Sequence, residues 1–284
     1  MSMEGKVSNC KLPIERFAFL EMLAFWKGRV RNKDIEHQFA ITRQQAHKDL
    51  AKYRELHPGA LIKLDKACFG FAEHASLSYS SASLDDFFLW YETGYFAQPR
   101  PLNGSCATRM ALPERNTCRH VLAGLINAIE QNLRLEVEYV SLSNPEDEGR
   151  IFTPHTLVKA GSRYHVRGYC EKSAAFRDLV LSRFRGIPVV EGIAHQTVKD
   201  DSAWQTMLAV ILAPDPRLTA QQQQVLAKDY QMEGGQLIIQ CRAALVDYLL
   251  REMQVNTKYL DGTPEAQQLV LVNRNDIKQW LFNS

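Results

Sequence analysis

The chain has 284 residues, 45% of them hydrophobic and 23% charged, with a formal net charge of +2. That length predicts two or three domains with enough apolar material for real cores, and the composition excludes a mainly disordered chain. No apolar run approaches membrane-spanning length, and no basic start followed by an apolar stretch marks an export signal, so a cytoplasmic protein with no membrane partner is expected.

Charge is unevenly spread. Residues 1–75 hold 13 Lys and Arg against 9 Asp and Glu, which points to a polyanionic partner for that end alone. Ile14–Lys27 reads as a helix, with Ile14, Phe17, Leu20 and Ala24 at helical spacing and Gly28 just past its end. A short helix follows from Asn32, the expected N-cap, to Phe39. After a tight Ala40-Ile41 connection, Thr42-Arg43-Gln44-Gln45 has the form of a capping box, with the Thr42 hydroxyl accepting from Gln45 and Gln45 reaching back. The helix it opens runs to about Leu56, where His57-Pro58-Gly59 stops it.

Ala46, Leu50 and Tyr53 form the buried stripe of that helix. At 3.6 residues per turn, Gln44 and Lys48 lie opposite, with Gln45, His47 and Lys52 beside them. Short helix, tight turn and capped polar helix make the helix-turn-helix plan, whose second helix enters the major groove by its N-terminal end. Thr42, Arg43, Gln44, Gln45, His47 and Lys48 are the expected DNA contacts, because Gln pairs with adenine and Arg or Lys with guanine or phosphate. Leu61–Leu64 and Ala67–Ala72 read as a hairpin around Asp65-Lys66, a wing that places Lys63 and Lys66 on backbone phosphate.

Leu84–Tyr91 is a further short helix, and the breaker cluster Gln98–Gly104 bridges to the rest of the chain. Trp90, Tyr91, Tyr95 and Phe96 are expected to pack on a neighbouring domain rather than on bases. A helix over Cys118–Asn132 leads into a half-buried strand, Arg134–Ser141, and the polar turn Asn144–Gly149.

Arg150–Arg185 then reads as three strands carrying polar residues where a plain core would carry Val and Ile. Arg163, His165, Arg167 and Tyr169 alternate onto one face, and Arg177 and Arg183 flank Leu179 and Leu181 on a common face. Imidazole and guanidinium groups gathered on one side of a sheet suit an anion. A buried Arg here can also pair with Glu136 or Glu138 as structural glue.

Helix, strand ending in tyrosine, Thr153-Pro154-His155, a Gly-x-Arg-aromatic strand and Phe176-Arg177-x-Leu179-x-Leu181-Ser182-Arg183 together resemble the WYL domain of bacterial transcriptional regulators. The tripeptide that names the family falls at Tyr164-His165-Val166, which keeps its aromatic, polar and aliphatic character only. The whole layout is similar to the BrxR and CapW kind of repressor found beside phage-defence operons, and the resemblance covers nearly the full chain. It implies a small Sm-like barrel whose polar pocket senses a ligand of nucleotide or oligonucleotide character. The matching positions are Tyr139, Ser141, His155, His165, Arg167, Arg177 and Arg183. Beyond Val190, strands at Met207–Ala213, Gln236–Arg242 and Gln267–Val272 alternate with helices at Arg217–Tyr230 and Ala244–Met253. A last helix, Asn275–Phe282, has Asn275 as N-cap. This resembles the α/β, ferredoxin-like extension implicated in dimer contacts.

The fold expected is therefore α+β and multidomain: a winged helix-turn-helix at 1–76, a helical linker at 77–117, a WYL domain at 118–195 and a dimerising extension at 196–284. No nucleotide-binding loop, metalloprotease or nucleophile-elbow motif occurs, and His155 and His165 lack a third ligand of suitable spacing, so neither enzyme activity nor a metal or cofactor is expected. The acidic clusters at Asp200-Asp201 and Glu146-Asp147-Glu148 read as solvated turns. The six cysteines are scattered without a CxxC pair, which favours reduced thiols. A homodimeric repressor on a double-stranded operator is the leading reading. An activator, or an accessory RNA- or single-strand-binding protein that works through the WYL sheet, remains open.

Overall fold

The computed structural model describes residues 12–81, 83–97, 112–113, 115–143, 145–146, 148–256 and 262–281. They fall into two compact units, Met1–Glu130 with Arg185–Pro188, and Gln131–Phe184 with Val189–Ser284. No helix among the described residues is long and apolar enough to cross a membrane.

The first unit runs α1 (Ile14–Trp26), β1 (Val30–Arg31), α2 (Asn32–Phe39), α3 (Arg43–Leu56), β2 (Leu61–Asp65), β3 (Cys68–Phe71), α4 (Leu84–Thr93) and α5 (Arg119–Gln131). Instead of the expected one-sided stripe, α1 is buried on all sides from Phe17 to Ala24, and Ile14 is exposed. A helix apolar all round belongs at the centre of its domain. Its one buried charge, Glu21, is fully enclosed. The carboxylate accepts from the Tyr53 hydroxyl (2.8 Å) and from the backbone N–H groups of Ser78 (2.9 Å), Tyr79 (2.8 Å) and Ser80 (2.8 Å). One side chain thus joins α1, α3 and the loop after the wing.

Asn32 is the first residue of α2 rather than its cap. Arg31 holds the cap position, and its N–H donates to the Asp34 carboxylate at 2.7 Å. The turn into α3 puts Ala40 in the left-handed region, at φ 49°. Thr42 caps α3 as expected, its hydroxyl accepting from the Gln45 N–H at 3.2 Å. The return half of the capping box is absent. The Gln45 amide donates instead to Asp49 (2.9 Å), a buried carboxylate that also takes Arg16 (2.7 and 3.2 Å). A buried carboxylate needs several donors, and that need outweighs the local cap.

The wing forms as expected. β2 and β3 pair antiparallel from Leu61↔Phe71 to Asp65↔Cys68, and β1 adds on the other side of β3. β3 is buried and β2 is mostly exposed. Trp90 and Phe96 pack edge-on against Phe19 (5.3 and 5.2 Å), Trp90 donates to Gln38 (2.8 Å) and Tyr91 stacks on Phe87, whereas Tyr95 is exposed. The breaker cluster Gln98–Gly104 lies outside the described residues. Ion pairs from Lys27 and Arg29 to Glu130 bind α5 to the turn after α1. Gly28 is required there: at φ +74°, a Cβ would also lie 2.8 Å from that of Ala123.

The second unit holds β4 (Leu133–Tyr139), β5 (Glu148–Ala160), β6 (Arg163–Cys170), β7 (Ala175–Val180) and β8 (Phe184–Ile193) in one sheet of order β7-β6-β5-β4-β8. β5 starts inside the segment expected to be a polar turn. A 3-10 turn over Leu181–Arg183 ends β7, so Arg177 and Arg183 do not share a strand face, contrary to expectation. Gly168 on β6 permits the closest approach in the sheet. A Cβ there would lie 2.3 Å from the Thr153 carbonyl and 2.6 Å from the Phe152 ring.

The chain continues through α6 (Ser202–Gln205), β9 (Met207–Pro214), α7 (Ala220–Asp229), β10 (Leu237–Arg242), α8 (Val246–Glu252), α9 (Pro264–Gln267), β11 (Leu269–Leu271) and α10 (Arg274–Ile277). β9 is the middle strand of an antiparallel β10-β9-β11 sheet, over which Val246, Leu250 and Ile277 close a core with Val210, Leu212 and Leu269. α7 begins at Ala220 because Thr219 and Gln222 cap it reciprocally (3.3 and 2.8 Å). Asn275 is not the cap of α10. The helix starts at Arg274, and the preceding Asn273 spends its side chain on the backbone of β9 at Ile211 and Ala209.

Glu21→Ala leaves a buried hydroxyl and three buried N–H groups without their acceptor. It should lower the stability of the first unit by about 3–5 kcal/mol, with Glu21→Gln losing less. Urea unfolding at neutral pH measures both.

Candidate functional site

α3 buries Ala46, Asp49, Leu50 and Tyr53 and turns Arg43, Gln44, His47 and Lys48 outward, all exposed. Among the described residues, Arg43, Gln44, His47, Lys48 and Lys63 make no hydrogen bond or ion pair through their side chains. Lys63 and Lys66 are exposed on the wing. This is a polar, cationic surface with its donors unspent. Thr42 and Gln45 stand apart from it, the first as helix cap and the second as a brace for Asp49. Lys52 is paired with Glu55 at 3.1 Å.

In the second unit the candidate effector residues assemble around a β-bulge. Pro154 pairs with Gly168 and Thr156 with Arg167, leaving His155 as the extra residue in β5. A proline in a strand has no N–H to give the ladder and favours such a bulge, which re-aims the next side chain. His155 Nε2 lies 3.1 Å from Asp201 and Nδ1 lies 2.8 Å from the Thr156 hydroxyl, with the ring against Phe176 and Trp204.

Arg167, 6% exposed, meets two carboxylates. Nε and one terminal nitrogen form a fork on Asp201 (2.6 and 3.0 Å), and the other terminal nitrogen donates to both oxygens of Asp178 (3.1 and 3.2 Å). The Tyr248 hydroxyl, from α8, donates to Asp178 at 3.3 Å. Asp201 also caps α6, accepting from the Trp204 N–H at 3.1 Å.

Asp201 therefore corrects two expectations. It is 1% exposed rather than part of a solvated turn, although Asp200 beside it is exposed. Arg167 is glued by Asp201 and Asp178 rather than by Glu136 or Glu138. Asp178 was accessible from sequence, since it sits directly across from Arg167 on the neighbouring strand. Asp201 offered only an Asp-Ser-Ala-Trp cap pattern, and its partner lies 34 residues away.

Burial disfavours charge on all four groups, and the partners decide the outcome. For Arg167, the two carboxylates outweigh burial and hold the guanidinium charged. For Asp201, the hydrogen bonds and charge of Arg167 outweigh burial, keeping its pKa below the usual carboxylate value. Burial pushes Asp178 up against the pull of Arg167, and it pushes His155 down despite Asp201. The centre is thus a guanidinium between two acids, beside a neutral imidazole.

The remaining positions scatter around this centre. His165 is buried with its ring 5.1 Å from Tyr248, and Arg177 is exposed with Nε 3.3 Å from the Ser173 hydroxyl. Tyr139 is a core residue, its hydroxyl accepting from the Val180 N–H at 3.1 Å and its ring against Phe184. Ser141 lies beyond the end of β4, 3.2 Å from Ser143, and Arg183 is half-buried in the 3-10 turn. A cleft of about 360 Å³ opens onto Arg167, Arg177, Asp178, Tyr248 and Trp280. Among the described residues no cluster of His, Cys, Asp and Glu is arranged to hold a metal ion.

These shifts give the direction of the response to acid. His155 has a lowered pKa, so the stability it contributes is complete above about 6.5 and is lost as pH falls through its folded value. Asp201, also lowered, adds a second loss as pH falls below about 3.9, while the raised Asp178 acts in the opposite sense. Melting temperatures should therefore fall between pH 7 and 5, and His155→Gln should flatten that part of the curve.

Residues 14–93 match the BrxR transcriptional regulator winged helix-turn-helix domain, residues 120–189 the WYL domain and residues 207–277 the BrxR transcriptional regulator C-terminal dimerization domain. The chain is 33% identical over 269 residues to the DNA-binding transcriptional repressor CapW of Pseudomonas aeruginosa, covering 93% of this chain and 90% of that one. It is 28% identical over 280 residues to CapW of Escherichia coli (strain KTE188), covering 92% and 89%. Among solved structures, the proteasome accessory factor B/C of Arthrobacter aurescens aligns over 99% of this chain and 50% of its own, at 15% identity and a TM-score of 0.26, too low to bear on the fold. With three matched domains in order and a relative of that identity along nearly its whole length, the chain belongs to the BrxR-type WYL transcriptional regulators, homologous to the CapW repressors, a family of regulators and not of enzymes.

Proposed function

We propose that this protein is a homodimeric repressor that binds an inverted repeat in double-stranded DNA, controls a phage-defence operon and is modulated by an anionic ligand of nucleotide or oligonucleotide character. The observation that carries the reading is the outer face of α3, where Arg43, Gln44, His47 and Lys48 stand exposed with no partner among the described residues. Polar side chains at the N-terminal half of a second helix are what the major groove accepts, and Lys63 and Lys66 on the wing suit phosphate. Thr42 and Gln45 hold the helix rather than read bases. A two-fold dimer built through the C-terminal domain sets half-sites one helical turn apart or a multiple of it.

The ligand side of the reading rests on the cleft beside Arg167 and Arg177, with His155 bonded to the same Asp201 that holds Arg167. The strand order, with β4 between β5 and β8, supports an Sm-like barrel for the middle domain. The β-α-β-α-β extension with its first strand in the middle supports a ferredoxin-like relative. A ligand that binds one dimer geometry better than the other shifts the population and with it the spacing of the two α3 helices.

A gel shift with the duplex immediately upstream of the protein's own gene tests the core of this reading. Specific binding to that duplex is expected, and a preference for single strands would favour an accessory single-strand-binding role. Gln44→Ala and Lys48→Ala should each weaken specific binding by about 1–3 kcal/mol, and Lys63→Ala should act mainly by reducing the salt dependence. Unchanged footprints in all three would remove α3 and the wing from the interface.

A further inference from the structure

Arg167 is compensated twice. Asp201 takes one edge of the guanidinium and Asp178 the remaining nitrogen, so the buried centre already holds two carboxylates against one guanidinium. An anion cannot simply be added there. It has to replace one of the acids already present.

The two acids are held very differently. Asp178 lies inside β7, paired in the ladder opposite Arg167, so its backbone is fixed by the sheet and its carboxylate is further held by Tyr248. Asp201 lies on the connection between β8 and β9, next to exposed Asp200, and caps a helix of only four residues. Its carboxylate can leave Arg167 without breaking any strand pairing. Ala203, two residues on, lines the same cleft as Arg167, Arg177, Tyr248 and Trp280.

We propose that Asp201 is a resident counter-anion, and that the effector is an oxyanion-bearing ligand that enters this cleft and exchanges with Asp201 on Arg167. This rests on the reading of the cleft as an effector site. Arg177 at the rim supplies a second cation, and Phe176 and Trp280 supply apolar walls for the body of a ligand whose anionic end is a phosphate.

The exchange has a mechanical consequence. α6 is fastened to the C-terminal domain: Arg242 donates to the Trp204 carbonyl and lies over the Trp204 ring (4.9 Å), and the Ala243 N–H donates to the Thr206 carbonyl (2.9 Å). Losing Asp201 from Arg167 also removes the Trp204 cap and the His155 contact, so the joint between the WYL sheet and the domain that follows it loosens in one event. Ligand occupancy is thereby converted into freedom of the C-terminal domain.

The test is a titration of the full-length protein with inorganic pyrophosphate at constant ionic strength, followed by Trp fluorescence and calorimetry. Asp201→Ser keeps a helix-capping hydroxyl and leaves Arg167 its Asp178 partner, so the fold is retained, and Asp201→Asn serves as a second, isosteric variant. Removing the competitor should tighten pyrophosphate binding on the order of tenfold or more in either variant, and Arg167→Ala should abolish the gain. Hydrogen exchange across residues 197–206 should quicken in both variants without any ligand. If neither folded variant binds pyrophosphate more tightly than the parent protein, or if that segment keeps its protection, the exchange is wrong. A separate arm measures operator affinity of the parent protein with AMP and with a 5′-phosphorylated dinucleotide. No effect there, with tighter pyrophosphate binding in the variants, would overturn the effector reading and leave the exchange standing.

Discussion

A guanidinium taken out of water has to bring its counter-charge with it, and Arg167 obeys that rule from the middle of a strand. Removing one partner of such a group costs several kcal/mol, because the other is left charged in a poor solvent. Much of the second unit is arranged around this demand. The bulge at His155 turns an imidazole onto Asp201, β7 sets Asp178 across the ladder from Arg167, Asp201 itself caps the single turn of α6, and α8 lends the Tyr248 hydroxyl. Sheet and extension become one body because the charge of the first is completed by residues of the second and of the segment between.

The first unit solves a similar problem with the opposite sign. Glu21 on an all-round buried helix is satisfied by one hydroxyl and three backbone N–H groups, and Asp49 is satisfied by Arg16 and Gln45. These inward-facing acids tie α1, α3 and the loop after the wing into a rigid platform. The consequence for the first turns of α3 is a division of faces: Asp49, braced by Gln45, points in, and Arg43, Gln44, His47 and Lys48 point out. A reader of DNA needs that rigidity, since a recognition helix that rocks cannot hold several side chains on base edges together.

Local chemistry was readable from the chain. Thr42 capping α3, the Asp65-Lys66 hairpin, the Ala46–Leu50–Tyr53 stripe and the Gly-stopped helices follow from spacing and turn residues, which act over a few positions. Where a distant group outbid a local one, sequence reasoning failed. Gln45 left its box for Asp49, Asn273 rather than Asn275 marked the start of α10, and Asp201 looked solvated because its neighbour Asp200 is. His155 and Arg167 do meet, but the acid that joins them was missed: strand alternation shows which cations share a face and says nothing of a carboxylate that arrives from 34 residues downstream. The same blind spot hid Ile14 and Ala18, since a period-3.6 pattern reports a half-buried helix and α1 is wholly enclosed except at its start.

The lateness of Asp201 in the chain also bears on how the protein is made. During synthesis the WYL strands emerge before their counter-charge, and Tyr248 follows Asp178 by 70 residues. A nascent chain that stops short of α6 carries a strand whose central arginine has Asp178 but not Asp201, so the middle domain gains its full stability only once the start of the next domain has left the ribosome. The position of one carboxylate thus makes the stability of the middle domain depend on the segment that follows it, and a product truncated before α6 would spend more time open to proteolysis.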